Sequence, residues 1–85
     1  MVKVKLFANF REIAGVREVE IDARDVYELL NKLVVEFPKM RELVFEGDRV
    51  REYVNIMVNE DLVRGNKDLS PSDVVAIFPP VSGGK

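Results

Sequence analysis

Between Val26 and Phe37 the apolar residues Val26, Leu29, Leu30, Leu33, Val34 and Phe37 fall at i, i+3, i+4, i+7, i+8 and i+11. That spacing places all six on one stripe of an α-helix. Asp25 and Glu28 have the spacing of a capping box, with Asp in place of the usual Ser or Thr, and Pro38 stops the helix at its far end. A helix with one apolar stripe has to bury it against a second layer. The remainder of the chain has to supply that layer.

The flanking segments change to a period of two. Val2-Lys3-Val4-Lys5-Leu6-Phe7-Ala8 predicts a strand with Val2, Val4, Leu6 and Ala8 inward and Phe7 outward beside two lysines. Asn9 to Gly15 reads as a loop. Val16 to Asp22 resumes the alternation with Val19 and Ile21 inward, so the first two strands form a hairpin. Lys39 to Tyr53 reads as an irregular connection, in which Met40, Leu43 and Val44 suggest a helical turn that Glu46-Gly47-Asp48 interrupts. Val54 to Val58 predicts a strand, Asn59-Glu60-Asp61 a turn and Leu62-Val63 a short strand. After a turn at Ser70-Pro71-Ser72-Asp73, the apolar run Val74 to Phe78 has the character of a central strand. The order is strand, strand, helix, strand, short strand, strand. It predicts an α+β fold in which one main helix covers one face of a mixed sheet of four to five strands, with right-handed crossovers. That is the β-grasp, or ubiquitin-like, arrangement.

With 85 residues the chain is one domain, expected to span residues 1–80, with residues 81–85 as a flexible C-terminal tail. The sequence contains neither cysteine nor histidine. Thiolate nucleophiles, disulfides, imidazole bases and nearly every zinc site are thereby excluded, and no bound cofactor or metal is expected. The 13 Lys and Arg alternate with 15 Asp and Glu for a net charge of −2, which argues against nucleic acid or an anionic membrane as partner. No apolar run approaches the roughly 20 residues of a membrane span, and Met1 to Lys5 lacks the apolar stretch of a signal peptide, so the expected location is the cytoplasm. Asp22, Asp25 and Glu28 could be offered as paired acids, but a helix N-terminus attracts acidic residues through capping and its dipole. Glu46 to Glu52 reads as a solvated charged loop, and Gly47 and Gly65 as turn residues.

The chemistry of the chain gathers at its end. Pro79 and Pro80 follow the last strand and cannot donate ladder hydrogen bonds, so the sheet stops and the following residues project outward. Val81 to Gly84 can reach about 13–14 Å at about 3.3–3.6 Å per residue, far enough to enter the active site of another protein. Gly83 and Gly84 suit a narrow channel because they have no Cβ. A carboxylate there is a poor acyl donor until a partner adenylates it with ATP.

Three segments together are similar to the small subunit of molybdopterin synthase, within the ubiquitin-like sulfur-carrier group that also includes the thiamine-pathway carrier. They are Leu6-Phe7-Ala8-Asn9-Phe10-Arg11-Glu12-Ile13-Ala14-Gly15, Val26-Tyr27-Glu28-Leu29-Leu30, and Val75-Ala76-Ile77-Phe78-Pro79-Pro80-Val81-Ser82-Gly83-Gly84. The resemblance implies a β-grasp fold and a cycle in which Gly84 is adenylated by an E1-like enzyme, using ATP, and converted to a thiocarboxylate. The large synthase subunit would then take the tail, and sulfur would pass to a pterin precursor. Catalytic side chains would belong to the partners, and this chain would be the non-catalytic small subunit. The resemblance further implies a docking patch of Phe7, Leu62 and Phe78, continued by Pro79, Pro80 and Val81; the alternative is that Phe7 and Phe78 only cover the second face of the sheet. The thiamine-pathway carrier is a weaker match to the Lys39 to Tyr53 connection and to the Phe-Pro-Pro ending.

Two features qualify the scheme. Members of the group end at the second glycine, whereas Lys85 follows Gly84 here. The expectation is that a peptidase removes Lys85 or that the lysine is foreign to the natural chain; otherwise this copy is inactive. The same adenylate also serves a ubiquitin-like modifier joined to lysines of target proteins. The two functions diverge at the nucleophile, a persulfide in one and an amine in the other.

Overall fold

A computed structural model of the chain describes residues 1–52 and 54–79. Strand β1 (Val2–Leu6) leads into a short helix α1 (Ala8–Ala14), then strand β2 (Glu18–Ile21) and the main helix α2 (Val26–Glu36). A 3-10 turn (Pro38–Met40), helix α3 (Arg41–Val44) and strands β3 (Phe45–Glu46) and β4 (Arg49–Val50) follow. The chain then returns through β5 (Asn55–Val58), β6 (Asp61–Val63) and β7 (Val74–Phe78). The principal sheet has the order β2-β1-β7-β5-β6, with β1 and β7 parallel and the other pairs antiparallel. This is the mixed five-stranded sheet and helix expected of the β-grasp fold.

Alternation decides which face is buried. Val2, Val4 and Leu6 of β1, Val75 and Ile77 of β7, and Ile56 and Val58 of β5 all point to one side and are buried. The cross-strand register brings Val4 beside Val75 and Leu6 beside Ile77, and Ile77 in turn beside Ile56. Val26, Leu29, Leu30, Leu33 and Val34 of α2 complete this core, while Phe37, the last residue of the stripe, is half-buried. Full burial of side chains of this size contributes about 1.5–3 kcal/mol each. The Asp25 carboxylate accepts the Glu28 backbone N–H at 2.8 Å, which confirms the cap, and Glu28 Oε1 accepts the Arg24 N–H at 2.7 Å.

Three expectations are corrected. Ala8 does not continue the first strand with its side chain inward; it is exposed, has φ of 53°, and opens a helix. Residues 9–15 are not a loop, because α1 buries Phe10 in the core and closes on Gly15, whose φ of 77° lets its N–H reach the Arg11 carbonyl at 2.8 Å. The connection from Lys39 is also more regular than its composition suggested. Met40 and Val44 bury their side chains one helical turn apart, and Phe45 pairs with Val50 across a two-residue turn at Gly47-Asp48.

Candidate functional site

Among the described residues no helix covers the second face of the sheet. Val74, Ala76 and Phe78 alternate with the buried residues of β7 and point to this side, where they are half-buried. In register, Ala76 lies between Lys5 of β1 and Met57 of β5, and Met57 lies beside Leu62 of β6. Ala76, Met57 and Leu62 therefore make an apolar row across three strands. Leu62, on the edge strand, is 53% exposed. A shallow depression of about 420 Å³, lined by Lys5, Met57, Asn59, Glu60, Val74 and Ala76, continues from this row.

Phe78 stands one pleat further along β7, toward the C-terminus, and Phe7 meets it. The two rings are perpendicular, with centroids 6.2 Å apart and an interplanar angle of 89°. Phe7 is positioned by backbone rather than by packing, since its N–H donates to the Ile77 carbonyl at 3.2 Å and the left-handed Ala8 then turns the chain away. It remains 42% exposed. The structure thus joins Phe7 to Phe78 directly and places Leu62 on the same face, across Met57 and Ala76.

The root of the tail lies beside this pair. Pro79 is half-buried, and its carbonyl accepts a hydrogen bond from the Asn55 side-chain amide at 3.1 Å. Pro80, Val81, Gly83 and Gly84, together with Lys85, lie outside the described residues. Met57, Ala76 and Asn55 were not singled out by sequence reasoning. The signal was present, because alternation within Val54-Asn55-Ile56-Met57-Val58 places Asn55 and Met57 opposite the buried Ile56 and Val58.

At the other end of β7, Asp73 is held below the ordinary carboxylate value by the Ser70 backbone N–H, by the Asn59 amide and, more weakly, by Lys67. Asn59 also accepts the Val74 N–H at 3.0 Å, so this network fixes the β5–β6 turn to the start of β7. It is structural. Among the described residues no cluster of acidic side chains could hold a metal ion, and no helix is long and apolar enough to cross a membrane.

An open apolar face beside the last strand, on a β-grasp core, coincides with a match of the ThiS family model to residues 4–84. The chain belongs to the ThiS family. Members of this ubiquitin-like sulfur-carrier family align along nearly the whole sequence. Small archaeal modifier protein 1 of Haloferax volcanii is 34% identical over 84 residues, covering 94% of this chain and 97% of that protein. The molybdopterin synthase sulfur carrier subunit of Arabidopsis thaliana is 33% identical over 86 residues, covering 98% and 82%. The solution structure of small archaeal modifier protein 1 from Methanosarcina acetivorans has a TM-score of 0.88 at 37% identity, covering 98% of this chain and 95% of that one. Within the ThiS family, then, this chain is similar both to a carrier subunit and to protein modifiers.

Proposed function

We propose that this ThiS-family chain carries sulfur for molybdopterin synthesis on the C-terminal carboxylate of Gly84. The observation that carries the reading is the position of the central strand β7, which ends at Phe78 against the exposed Phe7, on the open face that also carries Leu62, and which the diglycine segment follows in sequence. A partner docked on that face has the diglycine segment within reach, since four extended residues span about 13–14 Å. Chemistry on the tail then needs no catalytic side chain from this chain, in keeping with its lack of histidine and cysteine.

The sequence of steps follows from the acyl chemistry. Hydrolysis of the Gly84–Lys85 peptide bond frees the Gly84 carboxylate. A carboxylate oxygen attacks the α-phosphate of ATP on an E1-like enzyme, and pyrophosphate leaves. The terminal sulfur of a persulfide displaces AMP to give an acyl disulfide, and a thiol cleaves its S–S bond to leave the thiocarboxylate. The large subunit of molybdopterin synthase receives this tail, and the sulfur passes to a pterin precursor. Phe7, Leu62 and Phe78 dock the partners, and Pro79, Pro80 and Val81 continue that contact toward the diglycine end.

The similarity to small archaeal modifier proteins favours a second reading from the same adenylate. In it, the amine of a target lysine displaces AMP and an isopeptide bond forms. Co-purification with a large synthase subunit supports the carrier. Recovery of isopeptide-linked conjugates from cells, without such a complex, supports the modifier.

A further inference from the structure

The end of β7 is fixed from both sides, and one fixture is a side chain. On the β1 side the ladder closes with the Phe7 N–H donating to the Ile77 carbonyl at 3.2 Å. On the β5 side Asn55 is the last paired residue, opposite Phe78. The ladder cannot continue through Pro79, which has no N–H. Its carbonyl is nevertheless bound, because the Asn55 amide reaches past the end of the pairing and donates to it at 3.1 Å. Asn55 is half-buried on the open face, the same side as Phe78 and Met57.

From this geometry we infer that Asn55 is a positioning residue for acyl activation: its amide sets the direction in which the diglycine tail leaves the sheet. The inference rests on the reading of Gly84 as an activated carboxylate. Asn55 binds the Pro79 carbonyl, five residues before Gly84 in sequence, so it touches no reacting atom and acts through the backbone alone. A carbonyl held at the root restricts the directions open to every residue after it, and a tail already aimed loses less conformational freedom on entering a channel. Docking and aiming are therefore separate functions of one face. Leu62 and Phe7 contribute contact area to binding, and Asn55 contributes to the rate within the bound complex.

The separation can be read in steady-state kinetics of adenylation, using the chain ending at Gly84, an E1-like activating enzyme of the family and ATP. Asn55→Asp keeps the shape of the side chain but removes the donor. It should lower kcat roughly three- to tenfold, the worth of one net hydrogen bond, with KM for the carrier within about twofold of the parent. Asn55→Gln retains an amide donor and should recover part of the loss, whereas Leu62→Ala should raise KM with kcat unchanged. Thermal unfolding of each variant separates these effects from loss of fold. Parental kcat for a folded Asn55→Asp overturns the inference, as does a loss confined to KM. If the parent chain itself is never adenylated, the carrier reading falls, and the role of Asn55 falls with it.

Discussion

The Phe7 ring stands perpendicular to the Phe78 ring, 6.2 Å between centroids, and so ties the end of the first strand to the end of the last. The contact joins residues 71 positions apart in sequence because β1 and β7 lie parallel at the centre of the sheet, in a register that sets Leu6 beside Ile77. One step beyond this pair stands Pro79, which has no N–H to donate, and the aromatic contact thereby marks the end of the central strand.

Exposure distinguishes docking from structural covering on this face. Leu62 is more than half exposed, so Leu62→Ala should change folding stability by no more than about 0.5 kcal/mol. Binding to an activating enzyme or to a large synthase subunit should weaken by about 1 kcal/mol or more. Phe7→Ala should weaken binding at least as much, with a somewhat larger loss of stability because its ring contact with Phe78 is also removed. Calorimetric titration alongside thermal unfolding checks both. A Phe7→Ala chain that is less stable but binds as before would reduce the aromatic pair to a cover for the sheet.

The turn between β5 and β6 stores backbone strain. Asn59 and Glu60 both have positive φ, 51° and 76°, a conformation in which asparagine is tolerated and glutamate is not favoured. Asn59 is further tied to Asp73 and Val74. Glu60→Gly should therefore raise stability by about 0.5–1 kcal/mol, seen as a higher Tm. A lower Tm would mean that the Glu60 side chain makes a contribution larger than the strain it causes.

Asp73 links stability to pH. Its folded pKa lies below the ordinary carboxylate value of 3.8, chiefly through the Ser70 N–H and then the Asn59 amide. A depressed carboxylate stabilises the fold in its ionised form, fully at pH above 3.8 and progressively less as pH falls through the lower folded value. Asp73→Asn should accordingly be less stable than the parent near neutrality, and the gap should narrow below pH 3.8. Urea unfolding across that range measures it; a gap independent of pH would remove Asp73 as the source.

Legibility followed the length of each pattern. The α2 stripe and the alternation of Val2 to Leu6 and Val74 to Phe78 were readable because several periods agree. Helix α1 was not, although Phe10, Ile13 and Ala14 stand at i, i+3 and i+4, because seven residues give only two turns and polar neighbours dilute the stripe. Its clearest sign was Gly15 as a left-handed C-cap. The β3–β4 hairpin was announced by Gly47-Asp48 between Phe45 and Val50, but strands of two residues show no period. That Phe7 and Phe78 lie opposite the buried residues of their strands was legible from parity, and the structure adds that their rings meet. The role of Asn55 depended on a hydrogen bond to a residue 24 positions away, which no local pattern encodes.

The central claim concerns the carboxylate of Gly84, and intact-mass measurement addresses it most directly. The chain ending at Gly84 is incubated with an E1-like enzyme, ATP and a persulfide sulfur source, beside the chain that retains Lys85. The account predicts that the first gains the mass of one oxygen replaced by sulfur, while the second, its Gly84 carboxyl held in a peptide bond, keeps its mass. Failure of the Gly84-ending chain to gain sulfur, or an equal gain by the chain that still carries Lys85, would contradict it.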